Sequence, residues 1–258
     1  MILKDLHGVY RKKDVVVVAG DGPGLATAAH RLGDRWPIIG VNHSHYAVPV
    51  SVLVTSYPRL VAMAWLNHVP VVVRMKMGGR PGTVWLPSNG FTRCVPVCKR
   101  RFGEGNPYKV PPEPDTLQTH KNVGLAATHL ALITGARKIL FVGFDQQSMC
   151  HWYHLDGQQD RVRRLLDHMR QAISRWPREV NRNPAKTDRF IDMMEQRETL
   201  KDMDFGTPSP LSKEMRKHLF SLAISQVLSQ GVRAYTLDDG IMVESGATRV
   251  SYEEVESW

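Results

Sequence analysis

Hydrophobic positions along the chain follow two alternating spacings. Short β-branched runs bounded by glycine, proline or polar residues recur at Val15–Ala19, 37–42, 50–55, 69–75, 83–86, Lys138–Val142 and 232–237. Runs this brief and this uniformly apolar predict strands buried on both faces of a parallel sheet. Between them apolar residues return at helical spacing, which predicts helices over 25–32, 59–67, 125–133, 160–176, 190–200 and 212–230. Gly135 and Gly231 stand just past two of these helices, where the chain takes positive φ. Strands separated by helices predict an α/β protein with a Rossmann-like, doubly wound, mostly parallel sheet and a helical insertion. The pattern divides the chain into a sheet domain, 1–154 and 205–258, and a basic helical insertion or cap, 155–204. The strand at 232–237 is expected to be the last.

In such a sheet ligands bind in the crevice beyond the strand carboxyl ends, so polar residues there draw attention. The first strand runs into Gly20-Asp21-Gly22-Pro23-Gly24 and then a helix. Strand, glycine turn and helix aim backbone N–H groups and a helix N-terminus at a phosphate. The turn is G-x-G-P-G, and Pro23 lacks one donor; close packing of two backbones explains the same glycines. Asn42 ends the second strand, with His43, Ser44 and His45 continuing that edge. An amide that both donates and accepts suits a nucleobase or ribose, and equally caps a turn. The strand at Lys138–Val142 ends in Gly143-Phe144-Asp145, and His151 and His154 follow. A histidine suits proton transfer near neutral pH. These residues are candidates for a base, with Asp145 orienting it or the acceptor; the plainer reading has Asp145 capping a turn and His151 packing beside Trp152.

Composition narrows the picture. At 258 residues, 42% hydrophobic and 23% charged, the chain is long enough for one large α/β domain with an insertion. No run approaches the ~20 apolar residues of a membrane span, and the first residues lack a leader's apolar core, so a cytoplasmic protein is expected, with no membrane partner. Three cysteines argue against a disulfide framework. A net charge of +9 and a pI near 9.6 favour an acidic partner such as a nucleotide, a nucleic acid or an anionic glycan. Arg161, Arg164, Arg170, Arg175, Arg178, Arg182, Lys186 and Arg189 lean the insertion toward nucleic acid, although a solvated helical face reads the same way. A proline- and glycine-rich stretch at 87–118, with Lys99, Arg100 and Arg101, predicts a long loop covering the active edge. Cys94, Cys98, Cys150, His151 and His154 suit zinc by type, but their spacing is irregular. No P-loop, G-x-S-x-G or H-E-x-x-H motif is present, so common NTPase, hydrolase and zincin readings lack support.

Four segments taken together resemble a known family: V-V-V-V-A-G-D-G-P-G-L at 15–25, I-I-G-V-N at 38–42, N-V-G-L-A-A-T-H-L-A-L at 122–132 and K-I-L-F-V-G-F-D…H-W at 138–152. The chain looks like the DUF115-like proteins often encoded by bacteriophages. These resemble the sialyltransferases of glycosyltransferase family 42 and the MptE-like pterin pyrophosphokinases of archaea. G-V-R-A-Y-T-L-D-D-G at 231–240 resembles the family's closing strand. The likeness spans residues 14–154 and 218–256. It implies a Rossmann-like fold with a nucleotide at the strand carboxyl ends. It further implies that Gly20, Asp21, Gly22, Gly24, Asn42, Asn122 and Gly143 surround that nucleotide, with His151 or His154 as base. Gly24 stands where a serine is usual, and Thr55-Ser56-Tyr57 where phage relatives often carry an aspartate.

The expected activity is transfer of a sugar from a nucleotide-sugar donor to a glycan or a modified nucleic acid, in the host bacterial cytoplasm if phage-encoded. A homo-oligomer is compatible with the sequence. One alternative is an MptE-like pyrophosphokinase using Mg²⁺ and ATP, with Asp21, Asp145 and Asp156 as available carboxylates. The other is a non-catalytic protein that binds a nucleotide or nucleic acid.

Overall fold

The computed structural model describes residues 6–32, 35–55, 58–69, 71–73, 83–84, 95–96, 122–145, 151–175, 184–195 and 213–258. The elements in chain order are β1 (Val15–Ala19), α1 (Gly24–Leu32), β2 (Ile38–Val41), β3 (Val52–Thr55), α2 (Pro58–Leu66), β4 (Val71–Val73), β5 (Thr83–Val84) and β6 (Val95–Pro96). They continue with α3 (Val123–Ile133), β7 (Lys138–Val142), α4 (Gln159–Arg175), α5 (Pro184–Glu195), α6 (Lys213–Ser229), β8 (Arg233–Thr236), α7 (Ile241–Glu244), β9 (Thr248–Arg249) and α8 (Tyr252–Glu256). Single 3₁₀ turns occupy Ser44–Tyr46 and Trp152–His154.

Seven strands form one sheet in the order β4-β3-β2-β1-β7-β8-β9, and every neighbouring pair is parallel. The fold is Rossmann-like α/β. From β1 the chain builds outward through β2, β3 and β4, then returns to β7 on the other side. The strand order therefore reverses between β1 and β7. All five residues of β1 are buried, as a central strand covered on both faces must be. Val16 and Val18 face a core shared with Ile139 and Phe141, with α3, and with Leu219, Phe220, Ala223 and Ile224 of α6. Val15, Val17 and Ala19 face a second core with Leu25 and Ala28 of α1, Leu60 and Met63 of α2, and Val162, Leu165 and Met169 of α4. The apolar stripe of α4 thus packs into the same layer as α1, while its arginines stay outward.

Three expectations are corrected. The strand expected at 83–86 is β5, which pairs antiparallel with β6 outside the main sheet. The strand at 232–237 is not the last, because β9 adds an edge beside β8 through Tyr235–Thr248 and Thr236–Arg249. The helix expected at 190–200 starts earlier, at Pro184, in the first-turn position that proline favours. Most of the loop at 87–118, the cysteines, Lys99, Arg100, Arg101, Arg178, Arg182 and the hinge at 205–210 lie outside the described residues. No described helix is long and apolar enough to cross a membrane.

Candidate functional site

The glycine turn after β1 folds back onto the end of β7. Gly20 N–H donates to the Val142 carbonyl at 2.8 Å, and Gly22 N–H to the Gly143 carbonyl at 2.9 Å. A Cβ on Gly20 would lie 2.3 Å from the Gly143 oxygen, a distance no side chain accepts. Gly143 itself takes φ +73°. At the start of α1, Gly24 N–H donates to Asp145 Oδ2 at 3.0 Å, so a carboxylate already occupies the positive end of this helix. The N–H groups of Gly20, Gly22 and Gly24 therefore hold the chain to itself. Asp145, expected beside a histidine base, caps α1, and its charge also acts on His151.

Gly24 faces a second carboxylate. A Cβ there would fall 2.0 Å from Asp238 Oδ1 and 3.6 Å from Asp145 Oδ2. Asp238 Oδ2 accepts the Phe144 N–H at 3.0 Å. Burial pushes Asp238 up to about 7, opposed by its backbone hydrogen bonds and assisted by the nearby Asp145 charge. The Asp238 carboxylate leaves no room for a side chain at Gly24.

Asn122 and Asn42 are both built into the backbone. Asn122 is the N-cap of α3, its Oδ1 accepting from Gly124 N–H at 2.8 Å and Leu125 N–H at 3.3 Å. Asn42 takes φ +51°, a left-handed conformation that asparagine tolerates, and its Oδ1 accepts from Thr55 Oγ1 at 3.3 Å. That turn directs His43 toward Asp21. Asp21 Oδ2 accepts the His43 N–H at 3.2 Å and lies 3.4 Å from His43 Nδ1. His45 goes the other way: its Nδ1–H donates to the Asn42 carbonyl, and burial lowers its pKa to about 3.

His151 and His154 close over this edge from the turn after β7. Trp152 N–H donates to the Asp21 carbonyl at 3.0 Å, anchoring the turn beside β1. His154 Nδ1 accepts the His151 N–H at 3.0 Å, which leaves the ring proton on Nε2. The His151 ring stacks on Tyr153, with centroids 4.9 Å apart. Burial lowers the His151 pKa, while the Asp21 charge and a hydrogen bond to the Asp21 backbone oppose the shift. Tyr153 meets His43 edge-on at 5.5 Å, and Phe190 of α5 lies nearly parallel to the His43 ring at 6.1 Å. The Arg59 guanidinium sits 5.7 Å from the centre of the Phe190 ring.

The site assembled at the carboxyl ends of β1, β2 and β7 is therefore Asp21, His43, His151, Tyr153 and His154, bordered by Phe190 and Arg59. His43, Tyr153, Phe190 and Asp238 were not singled out from the sequence. His43 was signalled only by following Asn42 at a strand end. Among the described residues no group of three or more His, Cys, Asp or Glu side chains could hold a metal ion. Two of the zinc candidates, His151 and His154, are described, and both serve the turn. On α4, Arg161 pairs with Gln158, Arg164 with Asn67, and Arg170 with Asp167 and Glu195.

No protein-family model matches the sequence, and no curated protein matches it. Among solved structures the chain is similar to the sialyltransferase CstII from Campylobacter jejuni, determined in complex with the substrate analogue CMP-3FNeuAc. The TM-score is 0.42 at 11% sequence identity, covering 92% of this chain and 86% of that one. The likeness is one of fold.

Proposed function

We propose that the protein transfers a sugar from a nucleotide-sugar donor to an acceptor hydroxyl, the acceptor being a glycan or a modified nucleic acid. One observation carries this reading: His43, His151 and His154 converge with Asp21 at the strand carboxyl ends. Glycosyl transfer needs a group that removes the acceptor proton as the hydroxyl attacks, and a histidine held by its surroundings suits that step. The DUF115-like resemblance of the sequence agrees with this reading. Asp145 already occupies the N-terminus of α1, where an open turn would receive a phosphate. Asn42 follows β2 at the same edge, and Arg59 lies in the first turn of α2 after β3.

The Mg²⁺-dependent pyrophosphokinase alternative fits the residues poorly. Asp21 is engaged by His43, Asp145 by Gly24 N–H, and Asp156 is exposed. These carboxylates do not make the charged cage that a phosphate-bound cation requires.

Thermal stability measured with CMP, UDP, GDP, ADP, ATP and their sugar conjugates, with and without Mg²⁺, tests the reading. A ligand at about 100 times its Kd adds ~2.7 kcal/mol. A metal-independent shift with one nucleoside phosphate and its sugar conjugate is the expected result. A shift confined to ATP with Mg²⁺, or no shift with any of them, overturns it.

A further inference from the structure

We infer that His43 is the catalytic base of this site and Asp21 its positioning residue, in place of the later histidines His151 and His154. The inference rests on the transferase reading above, and deepens it.

The geometry separates the three rings. His154 has Nδ1 committed to the His151 N–H, so that nitrogen shapes the turn. His151 is stacked flat on Tyr153, and its ring bonds to the Asp21 backbone. His43 has a carboxylate at Nδ1, with Asp21 Oδ2 at 3.4 Å. The same oxygen accepts the His43 backbone N–H, so one carboxylate fixes both the backbone and the ring. The pair is largely enclosed, with 12% of the His43 side chain and 11% of the Asp21 side chain exposed. A carboxylate facing Nδ1 holds the proton there and leaves a lone pair on Nε2. Nε2 is buried and meets no hydrogen-bond partner among the described residues, and Asp21 Oδ1 is in the same condition. Two buried polar atoms on one dyad, both left for a ligand to satisfy, mark a place prepared for a polar substrate group.

The step balances as follows. His43 Nε2 takes the proton of the acceptor hydroxyl as its oxygen forms a bond to the anomeric carbon. The bond from that carbon to the donor phosphate oxygen breaks, and its electron pair leaves with the nucleotide. His43 is then an imidazolium facing Asp21, and returns its proton to solvent. Phe190 lies nearly parallel to the His43 ring at 6.1 Å, over its face and not in the plane of the Nε2 lone pair.

The experiment uses the full chain labelled with ¹⁵N-histidine, and the sugar nucleotide that stabilises it most. ¹⁵N shifts should show His43 with its proton on Nδ1, and Asp21→Asn should move that proton to Nε2. Release of free nucleotide in the presence of acceptor should fall about 100-fold or more in His43→Gln. Thermal stabilisation by the nucleotide should persist in both variants. A wild-type His43 protonated on Nε2, or a His43→Gln protein that turns over within two-fold of wild type, overturns the assignment and leaves the transferase reading standing. A wild-type protein that binds no sugar nucleotide and releases no nucleotide defeats the transferase reading and the base with it.

Discussion

Asp145 Oδ2 accepts the backbone N–H of Gly24 at 3.0 Å, so the carboxylate that ends β7 caps the helix that follows β1. The contact joins the two strands between which the sheet order reverses. It also places a negative charge at the helix end where an open turn of this kind receives a phosphate.

Removing that cap should cost stability. Asp145→Ala leaves a helix-terminal N–H without its acceptor and is expected to destabilise the fold by about 1–2 kcal/mol. Asp145→Asn keeps an oxygen but loses the charge at the helix end, and should cost about 0.3–1 kcal/mol. Urea denaturation midpoints of the two variants check the order. Equal stability of Asp145→Ala and wild type would show that the contact does not cap the helix.

Gly24 and Asp238 should be coupled. A methyl group at Gly24 meets Asp238 Oδ1 at 2.0 Å, and that carboxylate is pinned through Oδ2 by the Phe144 N–H. Gly24→Ala is expected to cost about 1–3 kcal/mol. Asp238→Ala strands the Phe144 N–H and costs about 1–3 kcal/mol by itself. The double variant should be less destabilised than the sum by about 1 kcal/mol or more, since the obstacle is gone. Additive losses in a double-mutant cycle would refute the coupling.

How much of this was legible in the sequence follows from the range of each interaction. Val15–Ala19 and Lys138–Val142 announce themselves because a strand buried on both faces must be apolar throughout. Gly135 marks the end of α3 because its φ of +90° is a local demand. β9 was missed because Thr248 and Arg249 are both exposed and carry no apolar run. α8 had a readable signal, the Ser251 and Glu254 capping box. The site was legible only in outline. Strand ends point to an edge, but Asp21 finds His43 across 22 positions, and Gly24 finds Asp145 across 121. No periodicity encodes such pairs, and Asn122 looked available because its service to α3 is invisible until the helix start is fixed.

Stability should depend on pH through Asp238 in a direction unusual for a carboxylate. An unfolded aspartate titrates near ~3.9, whereas burial pushes folded Asp238 up to about 7. Between those values the folded protein holds a proton that the unfolded chain has released, so this group's contribution falls as pH rises from about 4 to about 7. His45 works oppositely: burial lowers it to about 3, so its contribution is lost as pH falls below the unfolded value of ~6.5. The two slopes oppose one another between about pH 4 and 6.5 in the wild type. Asp238→Asn should remove the first and reveal a stability that climbs across that window, by roughly 1–3 kcal/mol relative to wild type. Denaturation at pH 4.5, 6 and 8 measures the difference; parallel profiles would exclude Asp238 as the titrating group.

Phe190 should control access to His43. Its ring lies within 13° of parallel to the His43 ring at 6.1 Å, meets Tyr153 edge-on at 6.3 Å, and carries Arg59 at 5.7 Å. A half-buried aromatic in such contacts costs about 1–3 kcal/mol when truncated, less than a fully buried one. Phe190→Ala should therefore be folded, slightly less stable, and more open beside the His43 ring. Diethyl pyrocarbonate, which modifies unprotonated imidazole nitrogens, should label His43 faster in this variant, as read by mass spectrometry of its peptide. His45, enclosed on the far side of Asn42 with its Nδ1–H held by a backbone carbonyl, should label no faster and serves as the internal control. Equal labelling of His43 in both proteins would mean that something other than Phe190 covers the base, whereas faster labelling of His43 and His45 together would mean that the truncation had loosened the fold as a whole.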